Sequence, residues 1–188
     1  MSEIAATRTL DEQRAEYIRN RFLAMPLAGI VVWGIIGISG AIFPLHITVW
    51  VIFIATGSVA YLGMLISKFT GEDFLDKSRP KNTFDKLFFY TIYVSFLVYA
   101  IAIPFLLIEH SSLPMTVGIL TGLMWVPFSW TIQHWVGLFH GTSRTALIVA
   151  AWYIFPEHRF TLIPAIIIAV YIATILILEN RWRNLQSA

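Results

Sequence analysis

The sequence predicts an all-α membrane protein, a bundle of six transmembrane helices preceded by an amphipathic helix, with both termini in the cytoplasm. The chain of 188 residues is 57% hydrophobic and 13% charged, about half the charged fraction of a typical soluble domain. Its apolar residues also fall into six runs. Each run is close to the roughly 20 residues that a helix needs to cross about 30 Å of hydrocarbon.

Residues 1–25 have the pattern of a cytoplasmic amphipathic helix that lies in the membrane interface and ends before Pro26. Thr9 and Glu12 have the spacing of a capping box, in which each side chain accepts a bond from the other's backbone N–H. The apolar face carries Leu10, Tyr17, Ile18, Phe22 and Met25. Docking to a partner protein is the alternative role. Charges of both signs argue against a secretory signal.

The six apolar runs form the predicted spans, and all but one of their connections are short. The spans are residues 26–43, 46–67, 87–108, 113–131, 137–155 and 160–178, and residues 179–188 form a tail. In the long connection, residues 68–86, Arg79 is followed directly by Pro80, which indicates a turn.

Basic residues test the span count, because cytoplasmic loops carry an excess of Lys and Arg. With six spans, every Lys and Arg except Arg159 falls on the side of the two termini and the long connection. A different count would scatter these charges over both sides. The distribution therefore places both termini in the cytoplasm.

Small residues recur at helical spacing in four of the spans, and such faces let helices approach closely in lipid. They are Gly34, Gly37 and Gly40; Gly118 and Gly122; Gly137 and Gly141; Ala165, Ala169 and Ala173. We predict packing seams within the bundle, with a homo-oligomer through one of them as the alternative.

A polar cluster lies at the cytoplasmic side of the fourth and fifth spans. Arg144 lies about two turns inside the fifth span, roughly 10 Å from its start, and His140 shares its face one turn nearer the interface. Pro127 in the preceding span leaves a backbone carbonyl without its helical partner. The other candidate ligand-binding residues are Trp130, Gln133 and His134.

Two interpretations of this cluster are open. In the first, the Arg144 side chain extends to the lipid headgroups. In the second, Arg144 binds a small anion or carboxylate in a hydrated pocket, and the histidines orient the ligand or relay protons. The predicted spans contain no acidic residue. A carboxylate partner from the protein would therefore come from the long connection, with Asp85 as one candidate.

The three short connections on the opposite side each contain a histidine. The weak metal candidates are His46, His110, His158, Glu109 and Glu157. Imidazole and carboxylate groups suit zinc, copper, iron or nickel, but adjacent Glu and His residues in a turn point in different directions. We expect ordinary polar residues at headgroup level, with no bound metal and no cofactor. The chain contains no cysteine, which excludes disulfides and thiolate metal sites.

Four classes of function remain open: a small-solute or ion permease, a non-catalytic accessory, sensor or scaffold protein, an intramembrane lipid-modifying enzyme, and a metal-binding protein. Transport ranks first because the polar cluster is internal, and no hydrolase motif favours an enzyme. The expected partners are the lipid bilayer and a small anion. A net charge of +2 is too small to indicate nucleic acid.

Two segments carry a family resemblance, LISKFTGEDFLDKSRPKNTFDKLF and GLMWVPFSWTIQHW. They resemble a family of small multispanning bacterial membrane proteins without an assigned function, over about half of the chain. The resemblance implies a location in the bacterial inner membrane and implies no activity.

We expect topology reporters fused after Ala188 and inserted near Ser78 to report the cytoplasm, and one at Ser112 to report the opposite side, because of the distribution of basic residues. Phosphatase and fluorescent-protein fusions measure this directly. An external signal near Ser78 would overturn the span count.

Overall fold

The computed structural model describes residues 8–72, 74, 76 and 82–187, and no β-strand occurs among them. These residues form nine α-helices with the bounds α1 Leu10–Ile18, α2 Ala24–Ile42, α3 Leu45–Thr70, α4 Thr83–Leu97, α5 Tyr99–Ile108, α6 Leu113–Gly122, α7 Trp125–Thr131, α8 Val136–Ile154 and α9 Arg159–Ser187. Single turns of 3₁₀ helix, His110–Ser112 and Pro156–His158, precede α6 and α9. The predicted turn at Arg79 and Pro80 lies outside the described residues.

Within the described residues, five helical segments are long and apolar enough to cross a membrane, so the chain is an integral membrane protein. They are Ala24–Ile42, Leu45–Thr70, Thr83–Ile108, His110–Thr131 and Pro156–Ser187. Helix α8 has 19 residues, as many as α2, but its polar residues, among them His140 and Arg144, lower its hydropathy. A count of six spans therefore stays a prediction.

Two of the predicted spans are interrupted. The third divides into α4 and α5 at Val98. The fourth divides into α6 and α7 at Leu123 and Met124. The second break follows from Pro127, whose ring cannot pack against the carbonyl four residues earlier, that of Leu123. Helix α9, by contrast, continues from the sixth predicted span through the tail to Ser187.

The core is built around α2, which packs against α3 on one side and antiparallel to α9 on the other. Glycines on α2 meet α9 at three places. The facing pairs are Gly29 with Tyr171, Gly37 with Pro164 and Gly40 with Phe160. At the last pair, Pro164 cannot donate to the carbonyl of Phe160. The missing side chain of Gly40 lets α2 approach that carbonyl closely.

The predicted packing role of small residues is confirmed for Gly37, Gly40, Gly118, Gly122, Gly137 and Gly141. Gly34 meets no atom within 4 Å of an added Cβ, and Ala165 and Ala169 are exposed. These three residues lie off the seams. A homo-oligomer stays a prediction.

Helix α1 has the predicted capping box, in which Glu12 N donates to Thr9 Oγ1 over 3.2 Å and Thr9 N donates to Glu12 Oε2 over 2.8 Å. The helix ends at Ile18, earlier than expected, and the chain turns at Phe22, whose φ is 62°. The helix docks on the bundle: Asn82 Nδ2 donates to the carbonyl of Gln13 over 2.8 Å.

Glu72 joins the end of α3 to the start of α2. Gly71 has a φ of 77° and turns the chain after α3. The buried Glu72 carboxylate then accepts bonds from the backbone N–H groups of Leu23, over 2.7 Å, and Ala24, over 3.0 Å. Burial raises the pKa of Glu72 above its ordinary value, and these two bonds oppose the rise. Glu72 thus satisfies donors at the α2 N-terminus that have no helical partner.

We expect Glu72→Ala to lower the free energy of unfolding by about 1–3 kcal/mol, because two buried N–H groups lose their acceptor. Glu72→Gln should lose less, because an amide oxygen can still accept. Denaturant unfolding in detergent micelles measures both. The control is Glu157→Ala at an exposed position, where we expect less than about 0.5 kcal/mol. An equal loss for Glu72→Ala and Glu157→Ala would contradict this account.

Candidate functional site

Arg144 lies at the centre of the bundle and has no exposed surface. It shares one buried face of α8 with His140 and Ile148, at spacings of four residues. Gly122 on α6 makes room for it, since an added Cβ there would lie 2.9 Å from Arg144 Cδ. The first interpretation of the sequence predicts that the Arg144 side chain extends to the headgroups. In the structure the side chain is instead buried inside the bundle.

The guanidinium of Arg144 contacts neutral groups from three neighbouring helices and from its own. Its Nη1 donates to the hydroxyl of Tyr171 over 3.2 Å and lies 3.3 Å from His140 Nε2. Its Nη2 donates to Thr121 Oγ1 over 3.1 Å. The rings of Tyr171 and Trp33 lie 5.4 and 5.6 Å from its Cζ, within the range of cation–π attraction. Its Nε is buried and has no hydrogen-bond partner among the described residues.

No acidic side chain of the described residues pairs with Arg144. Asp85, one candidate for a carboxylate partner, lies in the first turn of α4, and the bonds of the Arg144 guanidinium go to Tyr171, His140 and Thr121. Because a guanidinium stays charged in proteins, the described residues hold a buried positive charge balanced only by dipoles and ring faces.

His140 is held in a single orientation. The hydroxyl of Thr174 donates to the carbonyl of Val170 over 2.8 Å, so it accepts from His140 Nδ1 over 2.9 Å. The proton is then on Nδ1, and Nε2 is free to accept from Arg144. The ring also stacks on Trp125 with 4.2 Å between centroids. Both ring nitrogens are occupied, so His140 positions Arg144 in this arrangement.

A cavity of about 980 Å³ adjoins this cluster. It lies between α4 and α5 on one side and α2, α3, α6 and α7 on the other, and extends from the α1 end of the bundle to its centre. Residues that surround Arg144 form its inner wall: Trp33, Thr121, Trp125 and Tyr171. Arg144 itself lies behind the hydroxyls of Thr121 and Tyr171.

Tyr171 has an unused donor at this wall. The hydroxyl of Thr121 donates to the carbonyl of Val117 over 2.6 Å. The Tyr171 hydroxyl accepts from Arg144, and its own proton has no acceptor among the described residues. The Tyr171 O–H is thus available to a ligand in the cavity.

The other candidates of the predicted cluster do not meet Arg144. Trp130 is 65% exposed, Gln133 is exposed and His134 is half-buried. Gln133 and His134 form the turn after α7. Their N–H groups donate to the carbonyls of Trp130, over 3.3 Å, and Ser129, over 3.0 Å. This is a Schellman motif, and it places Gln133 in the left-handed region with a φ of 51°.

The candidates on the opposite side of the bundle do not converge. His46, His110, Glu157 and His158 are exposed, and the described residues contain no group of three or more potential metal ligands. Glu109 accepts from Ser111 N over 3.0 Å and from Ser111 Oγ over 2.7 Å. Arg159 also donates to Ser111 Oγ, over 2.5 Å. Glu109 and Arg159 thus stabilise the turn before α6.

Sequence reasoning missed four partners of the central cluster: Trp33, Thr121, Tyr171 and Thr174. One signal was present in α9, where Tyr171 and Thr174 are the only polar side chains between Thr161 and Glu179. Their separation of three residues places them on one face of that helix.

The fold and the site define an all-helical integral membrane protein with a charged polar centre beside an internal cavity. The chain belongs to a family of unknown function, DUF7010, whose model matches residues 10–181. No curated protein and no solved structure matches it.

We expect Gly29→Ala to destabilise the protein by about 1–3 kcal/mol, because the added Cβ would overlap the ring of Tyr171. Denaturant unfolding in detergent measures the change. Gly34→Ala, on the same helix and with no atom within 4 Å, is the matched control and should leave stability unchanged or higher. If both variants have the same free energy of unfolding, the ring of Tyr171 does not require the absence of a side chain at Gly29.

Proposed function

We propose that this protein is a permease for a small anionic solute, most simply a carboxylate, which binds in the cavity beside Arg144. The observation that carries the proposal is a fully buried guanidinium behind the inner wall of the cavity, with no carboxylate partner among the described residues. Charged residues at membrane depth mark substrate or ion pathways in many transporters.

The charge of Arg144 favours a negative ligand at the inner end of the cavity, whereas the carboxylates of Glu16, Glu72, Asp76 and Asp85 line its α1 end. A charge away from water is costly unless an opposite charge lies near it. An anion in the cavity would supply that charge and lower the cost. At the inner end a cation would be repelled by Arg144, which donates to Thr121 and Tyr171 of the wall.

Tyr171 is the contact that we assign to the ligand. Its hydroxyl oxygen accepts from Arg144, which polarises the O–H bond and makes it a better donor. A carboxylate oxygen in the cavity would accept that proton in a hydrogen bond, while Arg144 stabilises the negative charge from behind. In this arrangement His140 and Thr174 hold Arg144 in place and do not contact the ligand.

The site lies near the middle of α8, since Arg144 is eight residues, or about 12 Å, from the start of that helix. At 19 residues α8 is about 28 Å long, and it packs against α9 and α6. These features support six spans, with α8 as the fifth. Together with the basic residues, they support cytoplasmic termini and a location in the bacterial inner membrane. Substrate binding near the middle of the membrane is common in secondary transporters.

The accessory-protein alternative has less support. It relies on α1 and the long connection, residues 68–86, to contact a partner. In α1, the polar groups of Gln13 and the ring of Tyr17 contact the start of α4 in the same chain. The predicted enzyme would use His134 or His140 as its acid or base. Both ring nitrogens of His140 are instead bonded to the protein, and His134 does not line the cavity.

We expect small carboxylates to raise the melting temperature of the detergent-solubilised protein, and Tyr171→Phe and Arg144→Gln to reduce that rise. A ligand at 100 times its Kd adds about 2.7 kcal/mol, which corresponds to several degrees for a chain of this size. Arg144→Lys keeps the charge but loses the forked donors, so its effect should be intermediate. Tyr171→Phe removes a single hydroxyl and tests the site if Arg144 variants fail to fold.

Arg159→Gln is the matched control, because this arginine bonds to Ser111 and Trp152 away from the cavity. Uptake of a stabilising carboxylate into proteoliposomes then separates transport from binding alone. Equal melting shifts for wild type, Tyr171→Phe and Arg144→Gln across a panel of carboxylates and phosphates would overturn the proposed site.

A further inference from the structure

A second cleft, separate from the central cavity, lies where the turn between α7 and α8 meets the last turns of α9. Its volume is about 650 Å³. It is lined by polar residues and by apolar ones. The polar residues are Gln133, His134, Asn180, Arg181 and Asn184, and Trp135 and Leu176 are among the apolar ones.

Arg181 provides a positive charge in this cleft. Its side chain is only 8% exposed, and its Nη1 and Nη2 donate to the carbonyls of Asn20 and Ile18. These bonds use two of the five N–H groups of a guanidinium. No carboxylate of the described residues pairs with it. The nearby Glu179 is bonded to Arg21, over 2.7 and 2.9 Å, and to Arg183, over 3.0 Å.

His134 adds a directed donor. Its Nδ1 accepts from the backbone N–H of Val136 over 3.3 Å, so the proton of the neutral ring is on Nε2. Burial lowers the pKa of His134, and the charge of Arg181 lowers it further, as expected for two groups that face one cleft. The ring therefore donates from Nε2 even when it is uncharged.

The rim combines amides with exposed apolar side chains. Gln133, Asn180 and Asn184 supply neutral donors and acceptors, while Trp135 is 56% exposed and Leu176 is 66% exposed. Tryptophan beside polar groups at the end of a membrane helix is typical of the headgroup region. The cleft thus combines polar side chains with an exposed apolar edge formed by Trp135 and Leu176.

We propose that this cleft binds a phosphate group through Arg181 and His134 Nε2–H, with the amides of Asn180 and Asn184 completing the shell. An arginine without a carboxylate partner and a neutral histidine donor suit a phosphate oxygen. The two sources of such a group are the phosphodiester of an anionic phospholipid and a soluble phosphate. The apolar edge formed by Trp135 and Leu176 accommodates the acyl chains of a lipid.

The test uses full-length protein in detergent and measures lipid occupancy by native mass spectrometry, with melting temperature as a second readout. The probes are phosphatidylglycerol, phosphatidylcholine, glycerol 3-phosphate and inorganic phosphate. For a phospholipid we expect phosphatidylglycerol to bind at least tenfold more tightly than phosphatidylcholine. His134→Ala and Arg181→Gln should each weaken the binding of phosphatidylglycerol by about tenfold, the usual effect of losing a hydrogen bond to a charged group.

Arg183→Gln is the matched control. Arg183 lies two residues after Arg181 on α9, its side chain is exposed and bonded to Glu179, and the substitution removes the same charge. It should leave occupancy unchanged. Arg181 also bonds the end of α1. If the Arg181→Gln variant does not fold, Asn184→Leu takes its place in the binding measurement. If glycerol 3-phosphate or inorganic phosphate raises the melting temperature, and His134→Ala and Arg181→Gln reduce that rise while Arg183→Gln does not, the ligand is a soluble phosphate. Equal losses in Arg183→Gln and His134→Ala, or no binding of any probe, would overturn the site.

Discussion

Burial of the Arg144 guanidinium is the constraint around which the centre of the bundle is arranged. The ion contacts Trp33 from α2, Thr121 from α6, Tyr171 from α9 and His140 from its own helix. Four helices, α2, α6, α8 and α9, are therefore joined at one point. Loss of any one contact would leave a buried charge less compensated, and for a charge away from water that penalty is several kcal/mol.

Close helix packing makes this arrangement possible. Gly122 provides the space for the Arg144 side chain, and Gly29 provides the space for the ring of Tyr171. In lipid, apolar burial alone gives little drive for helices to associate, so small residues and interhelical hydrogen bonds contribute much of it. The glycine seams and the arginine cluster thus depend on each other: the seams bring the helices close, and the cluster joins them.

The two polar sites have different surroundings, and this difference supports different roles. The cavity beside Arg144 is internal, and its lining includes Tyr171, whose O–H has no acceptor among the described residues. The cleft beside Arg181 is open at the end of the bundle and carries exposed Trp135 at its edge. An internal site suits a solute that crosses the membrane, whereas a site with an apolar edge suits a headgroup of the surrounding lipid.

The sequence by itself determined the class of protein, the capping box of Thr9 and Glu12 and the shared face of His140 and Arg144. Each of these follows from local spacing or composition. Only the tertiary structure decided that Arg144 turns inward, while Gln133, proposed for the same site, lies at the surface. Helical periodicity shows which residues share a face, but the partners of that face come from distant helices, and only their packing brings them together.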